Sequence, residues 1–345
     1  MGKGFKDWRV IVGLCIAAAC LFFAFKDVDL LQMWSAFKDA RYLYFIPAVT
    51  ILFLSHMLRA WRWQLLLAPM ASVRWSTLFS SLLIGYMANT FLPAHLGEFI
   101  RAYIVGKKSP IPGSAVFATI VIERIIDVFT LLILMAFTIT VFPFPDWVRK
   151  SGYISFAFIA LLFIILVLMK KHRGRALNIV NALLKPVPVI RHKINELLLT
   201  FLDGVVGLKE WRHYIFVSLL SILIWSCYGY IFQLGLYAFN FIEIYPDITW
   251  ITPLVLLVIT TIAVLVPSSP GYVGTYHWLC QISLGLFGVP ESDALSFAFA
   301  VHGVNFIPIL IVGLILVSVM GMSVKSVQNE AQKEAAEIEG ELQKP

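Results

Sequence analysis

The sequence predicts an all-α polytopic membrane protein with about six full transmembrane helices and two oppositely oriented re-entrant or broken helical hairpins. Three observations carry this prediction. The 345-residue chain is 60% hydrophobic and only 14% charged, with a mean hydropathy of +0.85, too little polar surface to cover a soluble domain. Several apolar runs reach the roughly 20 residues needed to cross a bilayer. Two further apolar segments are interrupted by proline and glycine.

The full spans are expected at about 8–25, 43–58, 114–142, 151–169, 214–239 and 294–320. The first follows Lys3, Lys6 and Arg9 and has some character of a signal peptide. An uncleaved first span is the better reading, because no exported soluble domain follows. Cys15, Cys20, Cys227 and Cys280 are scattered through apolar runs without metal-ligand or redox spacing, so they read as small hydrophobes. No cofactor and no metal site is expected.

Orientation follows from lysine and arginine. With the N-terminus inside and each interrupted segment returning to the side it left, 20 of the 27 basic residues fall inside and five outside. The inside set includes Arg59, Arg62 and the cluster "KKHRGR" at 170–175. That asymmetry puts both termini in the cytoplasm, in a cell (inner) membrane. The net charge of +7 is then mostly an insertion signal, and nucleic-acid binding is a poor explanation for it.

Residues 176–211 are too polar to span, and their apolar positions recur at helical spacing, as in an amphipathic helix on the cytoplasmic face. The transmembrane domain is expected over 1–322. Residues 323–345 read as a polar, weakly helical, solvated tail.

The first interrupted segment, 77–106, contains "FLPAHLGEFIRA". Its leading run of about 16 residues makes about 24 Å of helix, short of the roughly 30 Å hydrocarbon core. Pro93 ends the hydrogen-bond ladder and Gly97 permits a sharp backbone. The economical reading is a hairpin that enters from the cytoplasm and turns back. In the second, 250–289, Pro267, Pro270, Gly271 and Gly274 crowd the end of a run entering from the opposite side. Paired broken segments of opposite sense point to a transporter's substrate site, although two pairs of proline-kinked full spans satisfy the same parity.

Glu98 and Arg101 are spaced i, i+3 and are expected to pair. Glu123, Arg124 and Asp127 sit inside "ATIVIERIIDVFTLLIL". Charge at membrane depth is costly and marks function by default. The arginines suit an anionic headgroup, since a guanidinium fork matches phosphate, with the carboxylates orienting them; the alternative is a closed ion-pair network pinning the hairpin to the next span. These five charges sum to −1. His95, His277 and His302 offer further donors, His56 a weaker one, and "RAWRW" at 59–63 reads as interfacial anchoring.

Three stretches, "GYMANTFLPAHLGEFIRA", "IVIERIIDV" and "PSSPGYVGTYHW", resemble in order and spacing the signatures of the flippase-like, lysylphosphatidylglycerol synthase transmembrane family. The resemblance covers about 8–322. It maps the family pattern onto Asn89, Pro93, Gly97, Glu98 and Arg101, then Glu123, Arg124 and Asp127, then Pro267, Pro270, Gly271 and Gly274, with Tyr276 and His277 beside the last turn. It implies a protein that moves a lipid between leaflets. Taken with the reading of the residues themselves, the substrate-binding candidates are Arg101, Glu98, Arg124, Glu123, Asp127, Asn89, His95, His277 and Tyr276. Bifunctional members carry a cytoplasmic aminoacyltransferase domain; only a short tail follows Met322 here, so a stand-alone member is expected and lipid aminoacylation is not.

The function expected is therefore a flippase for an anionic or polyprenyl-phosphate-linked lipid. A secondary transporter for a small soluble anion is the main alternative, and an intramembrane lipid-modifying enzyme a weaker one, since no nucleophile or metal constellation is found. Partners left open are a second copy of the chain and a separate lipid-synthesising enzyme.

Overall fold

The computed structural model describes residues 8–91, 96–142, 144, 211–265, 270–321 and 323–341, with scattered positions between 157 and 182. The expected span at 151–169, the amphipathic segment 176–211, Pro93, His95 and Pro267 lie wholly or almost wholly outside these residues. Every regular element described is helical, and the chain is an all-α membrane protein.

The helices are α1 (Trp8–Phe25), α2 (Leu30–Asp39), α3 (Phe45–Leu67), α4 (Trp75–Phe91), α5 (Gly97–Lys108), α6 (Gly113–Val141), α7 (Trp211–Ala238), α8 (Phe241–Ile244), α9 (Thr252–Leu265), α10 (Thr275–Gly285), α11 (Glu291–Val319) and α12 (Val324–Glu341). Among the described residues, three stretches are long and apolar enough to cross a membrane: Tyr42–Leu67, Trp211–Ala238 and Glu291–Val319. Helix α6 matches them in length, with 29 residues or about 43 Å. It differs in carrying Glu123, Arg124 and Asp127 mid-helix.

Helix α3 runs nine residues beyond the expected end of its span at 58, to Leu67. Arg59 and Arg62 therefore lie within the helix body, both buried. Helix α7 packs along α3, and α10 and α11 pack against each other. Phe239, Phe241 and Phe297 meet in one aromatic cluster, with ring centroids 5.4–5.7 Å apart, close enough to add to simple burial.

The two interrupted segments each fold into a helical hairpin. In the first, Asn89 Oδ1 accepts the Gly97 N–H at 2.8 Å, and Gly85 lies against Arg101 and the Gly97 carbonyl. The Asn89–Gly97 and Gly85–Arg101 pairs are symmetric about position 93, so α4 and α5 are antiparallel. Their backbones touch because both contact positions are glycine. A Cβ on Gly85 would sit 2.7 Å from the Gly97 carbonyl oxygen, closer than real Cβ contacts allow.

In the second hairpin, α9 and α10 pack together across a 3₁₀ turn at Pro270–Tyr272. Gly271 and Gly274 both have positive φ, 66° and 93°, which suits glycine. The N–H of Gly274 bonds His277 Nδ1 at 3.2 Å, and His302 Nε2 donates to the Gly271 carbonyl at 2.9 Å. The two hairpins meet where the 3₁₀ turn packs on the end of α4, with Gly271 beside Thr90.

The C-terminal segment differs from expectation. Rather than a solvated tail, Val324–Glu341 is a helix packed on α5 and α6. Val327, Glu334 and Ile338 are buried. The Glu334 carboxylate lies over Gly113, the first residue of α6, where unpaired N–H groups favour negative charge. Ile338→Ala is expected to weaken this docking by the ~2–5 kcal/mol typical of buried Ile→Ala changes. The readout is a lower melting midpoint of the purified protein in detergent. An unchanged midpoint would place α12 off the body of the protein.

Candidate functional site

Helices α3, α5 and α6 converge on one charged cluster. Arg59 and Arg62 share a face of α3, as i, i+3 residues do, and that face meets α6. Asp127 receives both: Arg59 Nη1 lies 2.7 Å from its Oδ2 and Arg62 Nη2 lies 2.8 Å from its Oδ1. Arg59 also reaches Glu123 Oε1 at 3.3 Å and donates from Nε to the Tyr228 hydroxyl at 2.8 Å. Arg62 donates to Ser221 Oγ at 2.9 Å.

From the hairpin side, Arg101 Nη2 bonds Glu123 Oε2 at 2.7 Å. Its guanidinium stacks over Trp63, 4.3 Å from the ring centroid, and Trp63 is held by donating from Nε1 to Thr119 at 2.9 Å. Arg124 Nε lies 2.9 Å from Glu98 Oε1. The expected Glu98–Arg101 pair is thus replaced by two cross-helix pairs, Arg101–Glu123 and Glu98–Arg124. The reason is angular. Three residues turn a helix through 300°, so side chains at i and i+3 diverge by about 60°. With α5 packed on α6, that divergence sends Arg101 into the packed side and Glu98 towards open space.

Sequence reasoning had placed Arg59 and Arg62 at the interface; the structure places them in this cluster. The five-charge sum of −1 becomes four arginines against three carboxylates, a net +1. Burial sorts the members. Arg62 and Glu123 have no exposed side-chain surface and Arg101 has 1%. Arg124 keeps 36% and Glu98 18%.

That residual surface faces a cavity of about 480 Å³ lined by Arg124, Glu98, Arg59 and Asp127 together with Asn89 and Tyr276. This is the volume range of small-molecule sites. Aromatic side chains supply much of the rest: Tyr86, Trp225, Tyr228, Phe232, Tyr272 and Phe306. His56, Thr260, Thr261 and Asn305 add neutral polar groups. The site therefore offers a cationic fork beside carboxylates, within a largely apolar, aromatic wall.

Of the residues singled out from sequence, His56, Asn89, Glu98, Arg124, Asp127 and Tyr276 line this cavity. Arg101 and Glu123 lie behind it as the ion pair that ties α5 to α6. His277 does not line it: its ring packs on Phe299, 4.1 Å between centroids, and holds the second turn. Tyr86, Tyr228 and Arg59 were missed. The available signal was the i, i+3 arginine pair in a run that stays helix-compatible until Pro69.

Comparison with known proteins agrees with this architecture. Residues 10–313 match the model of the lysylphosphatidylglycerol synthase TM region. A UPF0104 membrane protein of Methanocaldococcus jannaschii is 23% identical over 286 residues, covering 79% of this chain and 83% of its own. A UPF0104 membrane protein of Methanothermobacter thermautotrophicus is 23% identical over 332 residues, covering 91% and 95%. Three motifs in order, a cavity lined by residues of all three, and a family match over nearly the whole membrane region lead to one assignment: this chain belongs to the family of the lysylphosphatidylglycerol synthase TM region.

Proposed function

We propose that this protein is a lipid translocase of the cell (inner) membrane that passes an anionic headgroup between leaflets through the Arg124 cavity, with both termini cytoplasmic. The observation that carries the reading is the half-paired, cavity-facing guanidinium of Arg124, set beside three buried arginines that each have a carboxylate within 2.8 Å. Irregular backbone and charge at membrane depth are stable only when they line a polar cavity or are packed in protein. The two hairpin tips meet beside this one.

The protein's own contribution is binding and passage, with no covalent step; the lipid would be made by a separate enzyme. The headgroup crosses within the cavity while its chains stay in the hydrocarbon. The aromatic walls cover the apolar part of the headgroup and exclude bulk water, which strengthens the anion–guanidinium attraction.

Proteoliposomes holding fluorescent phosphatidylglycerol or a fluorescent polyprenyl phosphate test the proposal. Leaflet exchange faster than in protein-free liposomes is the expected result. Exchange at the protein-free rate for both lipids, alongside uptake of a soluble anion such as inorganic phosphate, would support a soluble-anion transporter instead.

A further inference from the structure

We infer that the cavity selects headgroups carrying a single negative charge, as a phosphodiester does, and that Glu98 is the residue that sets this limit. The inference rests on the reading of the Arg124 cavity as a headgroup site. It goes further by naming the charge class of the headgroup.

Three observations support it. First, among the described residues the cluster carries one uncompensated positive charge, four arginines against Glu98, Glu123 and Asp127. One monoanion neutralises it; a dianion leaves excess negative charge in a low-dielectric site, where like charges repel strongly. Second, the least-paired positive charge is localised at Arg124. Arg59, Arg62 and Arg101 each have a carboxylate within 2.8 Å. The Nη1 and Nη2 of Arg124 reach carboxylates only at 3.8 and 4.0 Å, so its terminal fork is free for a bidentate anion while Nε stays beside Glu98. Third, the fork is flanked by negative charge. Glu98 and Asp127 both line the cavity, 2.9 Å from Arg124 Nε and 3.8 Å from its Nη1 respectively. A phosphodiester presents two shared oxygens to the fork. A diphosphate would press its second charge against Glu98.

Glu98 is the adjustable member of this arrangement. Asp127 is committed to two buried arginines and Glu123 is enclosed, whereas Glu98 is partly exposed and has one partner among the described ion pairs. Removing its charge takes the cluster from +1 to +2 and removes the nearest repulsive group.

The test compares two lipids with identical dioleoyl chains, phosphatidylglycerol and diacylglycerol pyrophosphate, bound to purified protein and counted by native mass spectrometry. Wild type is expected to favour phosphatidylglycerol by at least about tenfold, since a juxtaposed like charge discriminates by no less than that. Glu98→Gln is expected to erase or reverse that ratio, and Glu98→Asp, which keeps the charge, to retain it. Where Glu98→Gln is not recovered folded, Glu98→Ala makes the same charge change. Equal or better binding of the pyrophosphate lipid by wild type, or a ratio unmoved by loss of the Glu98 charge, overturns the inference and leaves the translocase reading standing. Failure of both lipids to bind, or binding unaffected by Arg124→Ala, overturns that reading as well.

Discussion

Asp127→Ala is expected to abolish recovery of folded protein. The Asp127 carboxylate holds Arg59 at 2.7 Å and Arg62 at 2.8 Å, one on each oxygen. Removing it takes the closest carboxylate from two buried guanidinium groups, leaving Glu123 at 3.3 Å from Arg59 and only at 3.9 Å from Arg62, which has no exposed side-chain surface. Breaking a single buried pair by deleting one partner costs about 3–5 kcal/mol, and here one deletion breaks two. Such a loss is comparable to the whole stability of many domains. The check is the yield of monodisperse protein after detergent extraction, wild type beside variant. Arg62→Met combined with Asp127→Asn should restore part of the yield, because it removes a buried cation together with the charge that balanced it. Normal yield from Asp127→Ala alone would mean that water, rather than Asp127, satisfies Arg59 and Arg62.

Arg124→Ala is expected to give the opposite pattern, a folded protein that no longer exchanges lipid. Arg124 has one close carboxylate, Glu98, and keeps 36% of its side-chain surface open. A partly exposed ion pair contributes on the order of 1 kcal/mol or less to stability, so extraction and melting midpoint should stay near wild type. Function is another matter. If the headgroup is held by the free fork of Arg124, its loss removes charge-assisted hydrogen bonds worth about 1.5–3 kcal/mol each, and exchange should fall at least tenfold. Arg124→Lys should recover only part of this, since an ammonium keeps the charge but not the fork. Arg101→Ala is a poor substitute for this experiment: with Arg101 1% exposed and paired to Glu123, its loss damages the hairpin and confounds fold with function.

Much of this molecule is written in local pattern. Helix α6 was expected at 114–142 and is found at Gly113–Val141; α11 was expected at 294–320 and is found at Glu291–Val319. The first hairpin was legible because a short apolar run, a proline and a glycine follow one another within a few residues, and Asn89 and Gly97 pair across that turn. What local pattern hid was partnership. Hydropathy treats an arginine as the end of a span, so it ends α3 at residue 58 and puts Arg59 and Arg62 at the interface. In the structure α6 offers them carboxylates, and the helix continues. Likewise i, i+3 spacing made Glu98 and Arg101 neighbours, while the packing of α5 on α6 chose their partners. The C-terminal helix carried a weak signal of its own. Val327, Glu334 and Ile338 recur at i, i+7 and i+11, a narrow stripe that a mostly polar composition masked.

The most direct test of the central claim, that an anionic headgroup sits at Arg124, is photocrosslinking with a phosphatidylglycerol that carries a diazirine in its headgroup. Wild-type protein in liposomes would be irradiated, digested and sequenced by mass spectrometry. The account predicts adducts on cavity residues such as Tyr86, Tyr272 and Asn305, lost in Arg124→Ala and competed by unlabelled phosphatidylglycerol. Adducts confined to the exposed outer faces of α1 and α7, with the same yield in Arg124→Ala, would contradict it.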